Sequence, residues 1–572
     1  MGNRKAGCGV RAVLGTAGLL WIGVVHAQSA SPSFAEQQEL RERAEREARE
    51  AREREQRQAL PDVSREQPAA ATDLHSLELP DEEPCFTLQQ LQLDGAHLGQ
   101  FAFLQRYLDR YRGRCVGQQG IALIVRRASD LALAKGYVTT RIGLPEQSLG
   151  SGTLRLQLVP GVIRQIRFNA EEVPDSMWKS AFPARPGDVL NLRALEQGLE
   201  QLKRVPSQDV NMELVPGEAP GESDVVISIR HGKRWRASVS LDDAGSRATG
   251  KQQVGATAWV DNLARVNDLL SIGVSSDGSA DKGRGTHGFN ASWSVPLGNW
   301  RFSTSTYSSR YKQTIASNAD TFASTGTSSN VDLAVERLLV RGQSYRSGIE
   351  LRVAQRSSHS YVEGVEIEGQ RRRTTSVELA LLHRQYLGRV QADIRLAHRR
   401  GVPWLGGDDD AVGRDDLAPT FRYGLTTLDI GAGGALTSGP RPLAWNTALR
   451  YQWSKDTLYG SEFISVGGRY TVNGFDGEVP LGGSRGGYWR NSISWMAHRA
   501  IAPYAGIDIG HIERDDRQGI GGGTLSGAHL GARGELGGLA WDGFVGVPMS
   551  RPAWLKHEAR GHVIGFRASW QF

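Results

Sequence analysis

The chain has 572 residues, of which 23% are charged, with a formal net charge of +6 and a mean hydropathy of −0.39. Downstream of Val25 it contains no run of 18 consecutive apolar residues, which excludes a helical membrane protein. No nucleic-acid-binding motif accompanies the basic excess, which we interpret as solvated surface, with a nucleic-acid or lipid-phosphate patch as the alternative. The run Arg371 to Arg373 is predicted to lie in a loop or turn.

The amino terminus has the pattern of a secretory signal peptide. Basic residues precede an apolar run from Val13 to Val25, and small residues flank the expected cleavage site after Ala27. We therefore expect residues 1–27 to be removed. A retained membrane anchor is the alternative, but the apolar run is shorter than the roughly 20 residues that a spanning helix needs.

Residues 35–60, within an N-terminal segment 28–60, are predicted to form one charged helix. The sequence AEQQELRERAEREAREAREREQRQAL contains no Gly, no Pro and no β-branched residue. Several glutamates stand four residues before an arginine, and each such pair stabilises a helix by roughly 0.2–0.5 kcal/mol. Such a helix is stable in water and equally in a water-filled channel. The proline-containing stretch 61–83 is predicted to be a linker.

Two α+β units with a similar order of strands and helices are predicted next, at 84–160 and 161–232. The elements of the first unit are a strand FTLQQLQL, helices at 101–112 and 117–135, and strands at 139–144 and 153–159. Those of the second unit are a strand VIRQIRF, helices at 174–182 and 192–203, and strands at 210–215 and 224–230.

Cys85 and Cys115 are the two cysteines that remain after removal of the signal peptide. In an exported protein they lie in an oxidising compartment, which favours a disulfide between them. A zinc site is a poor alternative, because two lone cysteines lack further ligands at the required spacing.

Residues 233–572 are predicted to form a β-barrel of about 16 antiparallel strands in a membrane. Segments of about ten residues alternate between apolar and polar positions, and the strand from Trp445 to Trp453 has aromatic residues near both ends of its apolar face. The last strand alternates in the same way and ends on the aromatic Phe572. An edge strand of a soluble protein is the alternative for that segment, but it would leave apolar area and backbone groups exposed.

Three segments in the α+β region resemble the first POTRA domain of two-partner secretion transporters, the TpsB family of the Omp85 superfamily. They are PCFTLQQLQLDGA, GRCVG and ALAKGYVTTRIGLPEQSLGSGTLRLQLVPGVI. The segment DNLARVNDLLSIGVSSD is similar to the entry of that family into its barrel. The resemblance extends over essentially the whole chain, and it implies two POTRA domains in the periplasm before a barrel in the bacterial outer membrane.

The family carries a long loop that folds back into the barrel lumen with the motif Val-Arg-Gly-Tyr/Phe. Here the corresponding loop, about 467–490, contains Val472, Asn473, Gly474 and Phe475, so that asparagine replaces the arginine. The resemblance implies a partner on the barrel wall, an aspartate between two glycines, which is matched by Gly506, Asp508 and Gly510.

Asparagine can hydrogen-bond to Asp508 but cannot neutralise its charge. We therefore hypothesise that Arg469 or Arg485, on the same loop, supplies the missing charge. A solvated lumen charge is the alternative interpretation of Asp508.

In the family the N-terminal helix is a plug inside the barrel, and the resemblance assigns that role to the segment that contains Glu39, Leu40, Arg43, Arg46 and Arg49. A helix of this charge could instead be a periplasmic spacer.

The resemblance implies that the POTRA domains bind an unfolded exoprotein, which then passes through the barrel. The expected partner is a large β-helical adhesin, cytolysin or contact-inhibition toxin, and the transporter is expected to be a monomer surrounded by outer-membrane lipid. No phosphate-binding loop is present, so we expect no nucleotide hydrolysis.

The alternatives belong to other classes of outer-membrane protein. A barrel-assembly insertase would be expected to have more POTRA domains, and a passive porin would need none. An enzyme would need a nucleophile or metal motif such as GxSxG or HExxH, which is absent from the sequence. We therefore expect no catalytic residues, no metal, no cofactor and no nucleic-acid partner.

Overall fold

The computed structural model describes residues 34–58, 73–170, 172–278, 283–316, 321–498, 500–516, 518–556 and 560–572. The predicted signal peptide and most of the predicted linker lie outside these residues.

The first element is a helix of 25 residues, α1, at Phe34–Gln58. Its sequence contains eight glutamates and seven arginines among good helix formers, so helix propensity and ion pairs along the helix act together. None of the described helices combines the length and the apolar character that a membrane span requires.

The first α+β unit contains β1 (Phe86–Thr87), β2 (Gln90–Gly95), α2 (Ala102–Leu108), β3 (Cys115–Val116), α3 (Gln118–Ala134), β4 (Arg141–Gly143) and β5 (Thr153–Val159). A sheet in the order β2-β5-β4 packs its alternate leucines against the two helices. The prediction of one strand for FTLQQLQL was wrong. The fully buried Leu88 separates β1, which pairs with β3, from β2, which pairs with β5.

A disulfide joins Cys85 and Cys115 beside the β1–β3 pair. The two cysteines are 30 residues apart, and closing a loop of that size stabilises a fold by about 3–4 kcal/mol on the chain-entropy argument.

Replacing both cysteines by serine is therefore expected to lower the free energy of unfolding of the first unit by that amount. Proteolysis of the full chain over a urea series, with the cleavage sites identified by mass spectrometry, would measure this.

Cleavage within 86–159 should begin at lower urea in the double serine variant, while cleavage within 162–231 should be unchanged and serves as the internal control. Equal urea dependence of the first unit with and without the cysteines would contradict the prediction.

The second α+β unit contains β6 (Val162–Phe168), α4 (Asp175–Ala181), α5 (Leu192–Lys203), β7 (Gln208–Pro216) and β8 (Glu222–His231). Its sheet has the order β6-β8-β7, with β6 parallel and β7 antiparallel to β8. Outside the sheet core, Arg164 donates two hydrogen bonds of 2.7 Å to the Asp224 carboxylate, and this pairing lowers the pKa of Asp224 to about 2.

The remaining strands are β9 (Trp235–Asp242), β10 (Gln253–Asp261), β11 (Leu269–Asp277), β12 (Gly285–Leu297), β13 (Trp300–Ala316), β14 (Thr321–Arg341), β15 (Tyr345–Val362), β16 (Val365–Glu366), β17 (Arg372–Leu387), β18 (Val390–Val402), β19 (Gly424–Ala435), β20 (Leu443–Ser454), β21 (Ile464–Val466), β22 (Leu481–Gly483), β23 (Gly486–Trp495), β24 (Ala502–Ile512), β25 (Gly523–Leu536), β26 (Leu539–Ser550) and β27 (Val563–Gln571). All but β16, β21 and β22 are long strands of one closed antiparallel barrel, in which β27 pairs with β9.

The predicted fold class is confirmed, with a 16-stranded barrel after two α+β units and an N-terminal helix. The carboxyl-terminal strand is a barrel strand, because β27 is paired on both sides. Closure satisfies the backbone groups that a free edge would leave unpaired.

The outer wall of the barrel carries the apolar side chains. On β24, Ile507 and Ile509 are 56% and 43% exposed, whereas Asp508 between them is 1% exposed and faces inward. This alternation is that of a strand between lipid and lumen.

The prediction of a loop at Arg371 to Arg373 was wrong for Arg372 and Arg373, which begin β17.

The second unit packs against the turns at one end of the barrel. From the end of α5, Arg204 donates to Ser294 Oγ at 2.8 Å and to the Asn267 carbonyl at 3.0 Å. Arg341, at the end of β14, lies 2.7 Å from the Glu200 carboxylate of α5. We call this end of the barrel the near end and the opposite end the far end.

Candidate functional site

Helix α1 lies inside the barrel, against the lumen wall. In its first half, Gln37 accepts a hydrogen bond of 2.8 Å from Gln313 of β13, and Glu45 accepts one of 2.9 Å from Ser309 of the same strand. Near its end, Arg54 donates to the Tyr488 hydroxyl of β23 at 3.0 Å. The helix therefore contacts strands on different sides of the barrel over most of its length.

Ion pairs join the middle of α1 to the wall. Glu50 lies 2.8 Å from Arg450 of β20, and Glu53 lies 3.1 Å from Arg352 of β15. Arg46 lies 3.5 Å from Glu462, on a 3-10 turn at Gly460–Glu462. These groups are largely shielded from water, which strengthens each attraction and makes an unpaired partner costly.

The five helix residues singled out in the sequence all lie toward the wall or the remaining lumen. Glu39 pairs with Arg372 at 2.6 Å, and Arg43 donates to the Gly460 carbonyl at 3.1 Å. The Arg49 guanidinium lies over the Tyr307 ring at 5.7 Å, and Leu40 lines the cavity beside the helix. Arg46 also donates to the Ser461 and Phe463 carbonyls.

The wall opposite the helix is itself a network of paired charges. Arg399 of β18 lies 2.9 Å from Glu378 of β17 and 3.3 Å from Glu462. Arg450 also lies 3.0 Å from Asp429 of β19. Arg399 and Arg450 therefore each have a carboxylate partner on the wall, so departure of α1 would leave neither arginine unpaired.

The segment between β20 and β23 folds back into the barrel, and we call it the lumen loop. Its short hairpin, β21 with β22, packs into a small apolar core in which Val472 is fully buried and Phe475 is 5% exposed. Two of the four residues of the predicted motif therefore anchor the loop by hydrophobic burial.

Glycines on three adjacent strands make room for the tip of this loop. A Cβ atom at Gly510 would lie 2.8 Å from Val472 Cγ2, and one at Gly527 would lie 1.8 Å from the Asn473 carbonyl oxygen. One at Gly546 would lie 2.7 Å from the Gly474 amide nitrogen. Any side chain at these wall positions would displace the loop.

Asp508 lies at the centre of this contact. Its carboxylate accepts a hydrogen bond of 3.0 Å from the Asn473 backbone N–H and one of 3.3 Å from the Asn491 N–H. The Arg490 Nε atom lies 3.9 Å away, and His529 Nδ1 of β25 lies 3.5 Å away. A Cβ atom at Gly506 would lie 2.4 Å from the His529 ring, so Gly506 accommodates the histidine.

The hypothesis that Arg469 or Arg485 compensates Asp508 was wrong. Arg469 donates to Asp243, at the far end of β9, at 2.8 Å. Arg485 donates to the Ser454 carbonyl at 2.7 Å. The loop turns both guanidiniums away from Asp508, whose carboxylate instead accepts the Asn473 and Asn491 backbone N–H groups and lies near the Arg490 guanidinium.

A double-mutant cycle can test this reassignment. We expect Arg469→Gln and Asp243→Asn to show an interaction energy of about 0.5–3 kcal/mol, because the two groups are in contact. Arg469→Gln and Asp508→Asn should be additive. Heat-induced unfolding of the purified chain in detergent would measure both cycles. Coupling of Arg469 with Asp508 instead would restore the original hypothesis.

With α1 in place the barrel retains an internal cavity of about 1680 Å³. Its lining runs from the lumen loop down to Gln197, Glu200 and Gln201 of α5, so the second α+β unit borders the near mouth. Across the residues that the structure describes, no group of three or more His, Cys, Asp or Glu side chains is arranged to hold a metal ion.

Sequence reasoning missed the wall partners of the helix and of Asp508. The wall arginines belong to strands whose polar faces looked like ordinary lumen surface, and a strand pattern does not identify partners across a barrel. The high density of charged residues in α1 was the available signal, since a helix enclosed by a barrel requires charges of opposite sign on the wall that faces it.

Comparison with known families and proteins identifies relatives over nearly the whole chain. A family model described as haemolysin secretion/activation protein ShlB/FhaC/HecB matches residues 221–534, a POTRA-domain model of the ShlB type matches 86–161, and another POTRA-domain model matches 162–216. The outer membrane transporter CdiB-2 of Burkholderia pseudomallei is 39% identical over 90% of this chain and 88% of its own length.

The outer membrane transporter CdiB of Dickeya dadantii is 31% identical over 86% of this chain and 87% of its own length. Among solved structures, CdiB from Escherichia coli superposes with a TM-score of 0.85 at 26% identity, covering 95% of this chain and 100% of that chain.

Proposed function

Because this chain belongs to the haemolysin secretion/activation family ShlB/FhaC/HecB, an outer-membrane transporter family with periplasmic POTRA domains, we propose that it exports one large unfolded exoprotein through the barrel now occupied by α1. Family transporters act with large secreted exoproteins. The near end of the barrel is periplasmic and the far end is extracellular.

The observation that carries the proposal is that α1 lies inside the lumen and is not one of the strands of the barrel wall. A helix has a diameter of about 10–12 Å, so withdrawal of α1 would add a passage of that width to the cavity already present. The charges of the wall network remain paired with one another when the helix leaves. The lumen can therefore change between occupied and open states without rearranging the strands.

Entry of the exoprotein is proposed to begin at the POTRA sheets. Strand β2 is at one edge of the first sheet and β7 is at one edge of the second. Such edges can pair with the backbone of an extended chain with little regard to its side chains. Helix α5 of the second unit borders the near mouth of the barrel, so a chain bound to that unit would lie at the entrance to the lumen.

Similarity to two CdiB transporters favours an exoprotein of the contact-inhibition type over a cytolysin or adhesin.

We further propose that the transporter acts as a monomer, since one chain closes the whole barrel. Its lipid-facing apolar wall fits a position in the outer membrane.

Deleting the gene and comparing large proteins in the culture supernatant and on the cell surface tests the proposal. We expect one very large protein to be lost and to return on complementation, while the amounts of other outer-membrane barrels stay unchanged. A general loss of barrels would instead indicate a barrel-assembly insertase. An unchanged set of large exported proteins would refute the export function.

A further inference from the structure

Strand β13 places two cations on the outside of the barrel. Ser309, Tyr311 and Gln313 face the lumen, because they contact Glu45, Arg41 and Gln37 of α1 respectively. Side chains alternate along a strand, so Arg310 and Lys312 face outward, and both are exposed. Among the described residues, no carboxylate forms an ion pair with either of them.

Neighbouring strands extend this outward group. His287 of β12 lies directly opposite Arg310 in the strand register, and Thr327 and Thr325 of β14 lie opposite Arg310 and Lys312 on the other side. Directly paired residues share a face of the sheet, so a polar, basic surface spans three strands. We call His287, Arg310 and Lys312 the basic patch.

The position of the basic patch along the membrane normal follows from the aromatic residues at the other end of β13. Trp300 and Phe302, which stack at 6.5 Å, are outward-facing and lie at the near, periplasmic end. Arg310 follows Trp300 by ten residues, and ten residues at about 3.4 Å each, tilted by about 40°, rise about 26 Å. The apolar band of an outer-membrane barrel is about 25 Å tall, so Arg310 reaches its extracellular edge.

Apolar side chains fill the outer wall just below the patch. Phe289 of β12 and Val331 and Leu333 of β14 are 42%, 47% and 57% exposed, and they pair with the residues of β13 that precede Arg310. A cation at this boundary meets lipid headgroups rather than acyl chains.

Outward cations recur at the same end on other strands. Arg373 is the neighbour of the lumen-facing Arg372 on β17, and Arg400 is the neighbour of the lumen-facing Arg399 on β18. Both Arg373 and Arg400 are exposed. At the periplasmic end of β14, the outward Arg337 instead lies over the Trp300 ring at 4.8 Å. Exposed cations therefore recur on several strands at the extracellular end.

We propose that the basic patch binds the phosphate groups of a phosphorylated glycolipid in the outer leaflet. A guanidinium and an ammonium two residues apart offer several N–H donors to phosphate oxygens, and the threonine hydroxyls beside them can add further hydrogen bonds. Acyl chains of the same lipid would lie against Phe289, Val331 and Leu333. For these residues the proposal favours the lipid-phosphate alternative over the interpretation of the basic excess as solvated surface.

Native mass spectrometry of the full chain in detergent, mixed with lipid A that carries two phosphates or with the same lipid after enzymatic dephosphorylation, tests the proposal. We expect the wild type to retain the phosphorylated form about tenfold or more better. Arg310→Ser/Lys312→Ser should retain it no better than the dephosphorylated lipid.

Arg389 is an exposed residue of the near-end turn between β17 and β18. Arg337→Ser/Arg389→Ser, which removes two charges at the periplasmic end, is the matched control and should behave as the wild type. Heat-modifiable mobility on gels verifies that each variant contains a folded barrel. Equal retention of the two lipids by the wild type, or full retention by Arg310→Ser/Lys312→Ser, would overturn the proposal.

Discussion

Deletion of residues 34–58 is expected to raise the single-channel conductance of the purified transporter several-fold. The removed helix occupies the lumen along its length, and a helix has a diameter of about 10–12 Å. The strands should stay closed, because β27 pairs with β9 without any contribution from the helix. Planar-bilayer recordings of the deletion variant and the wild type would measure the change.

Point variants can separate loss of the helix from loss of its anchoring. Glu50→Gln removes the carboxylate that contacts Arg450 and Arg399, so we expect it to increase the frequency of openings without changing the conductance of the open state. Arg52→Gln is the matched control, since Arg52 is an exposed residue of the same helix with no ion pair to the described part of the wall.

Unchanged conductance after deletion would contradict a plug and would favour the periplasmic-spacer alternative. Unequal effects of Glu50→Gln and Arg52→Gln, in the expected direction, would show that the wall network holds the plug. Equal effects would show that general helix charge, rather than this contact, matters.

Local sequence patterns predicted the elements of this fold well where one physical cause dominates. Helix α5 was predicted at 192–203 and observed at Leu192–Lys203, because its amphipathic pattern begins after the capping Asn191, whose side chain accepts the Arg193 N–H. The strand at 153–159 agreed for the same reason, since its alternate leucines all enter one core.

Contacts across the lumen could not be predicted from such patterns. Arg469 and Arg485 were plausible partners of Asp508 because they are near Asn473 in sequence, yet the loop reverses direction and directs them to β9 and to β20. His529, which lies beside Asp508, is on the next strand and carried no sequence signal of its own. Pairing across a barrel depends on strand register and loop path, which depend in turn on the whole closed structure.

Docking of the lumen loop depends on the absence of side chains at the wall. Gly527→Ala is expected to displace the loop tip and to abolish secretion, because the new Cβ atom would lie 1.8 Å from the Asn473 carbonyl oxygen, which is main chain and cannot rotate away. The Asn473 N–H would then lose its hydrogen bond to Asp508, leaving a buried carboxylate with one donor fewer.

The matched control is Gly543→Ala on the adjacent strand β26, where a Cβ atom would have no neighbour within 4 Å. Both changes place alanine in a barrel strand, so any general effect on strand propensity is shared and only the clash differs. Protease accessibility of residues 467–478 in intact cells, together with the amount of exported exoprotein, would measure the outcome. Cleavage of the loop and loss of export should occur in Gly527→Ala alone, and normal export by that variant would show that secretion does not require the docked loop.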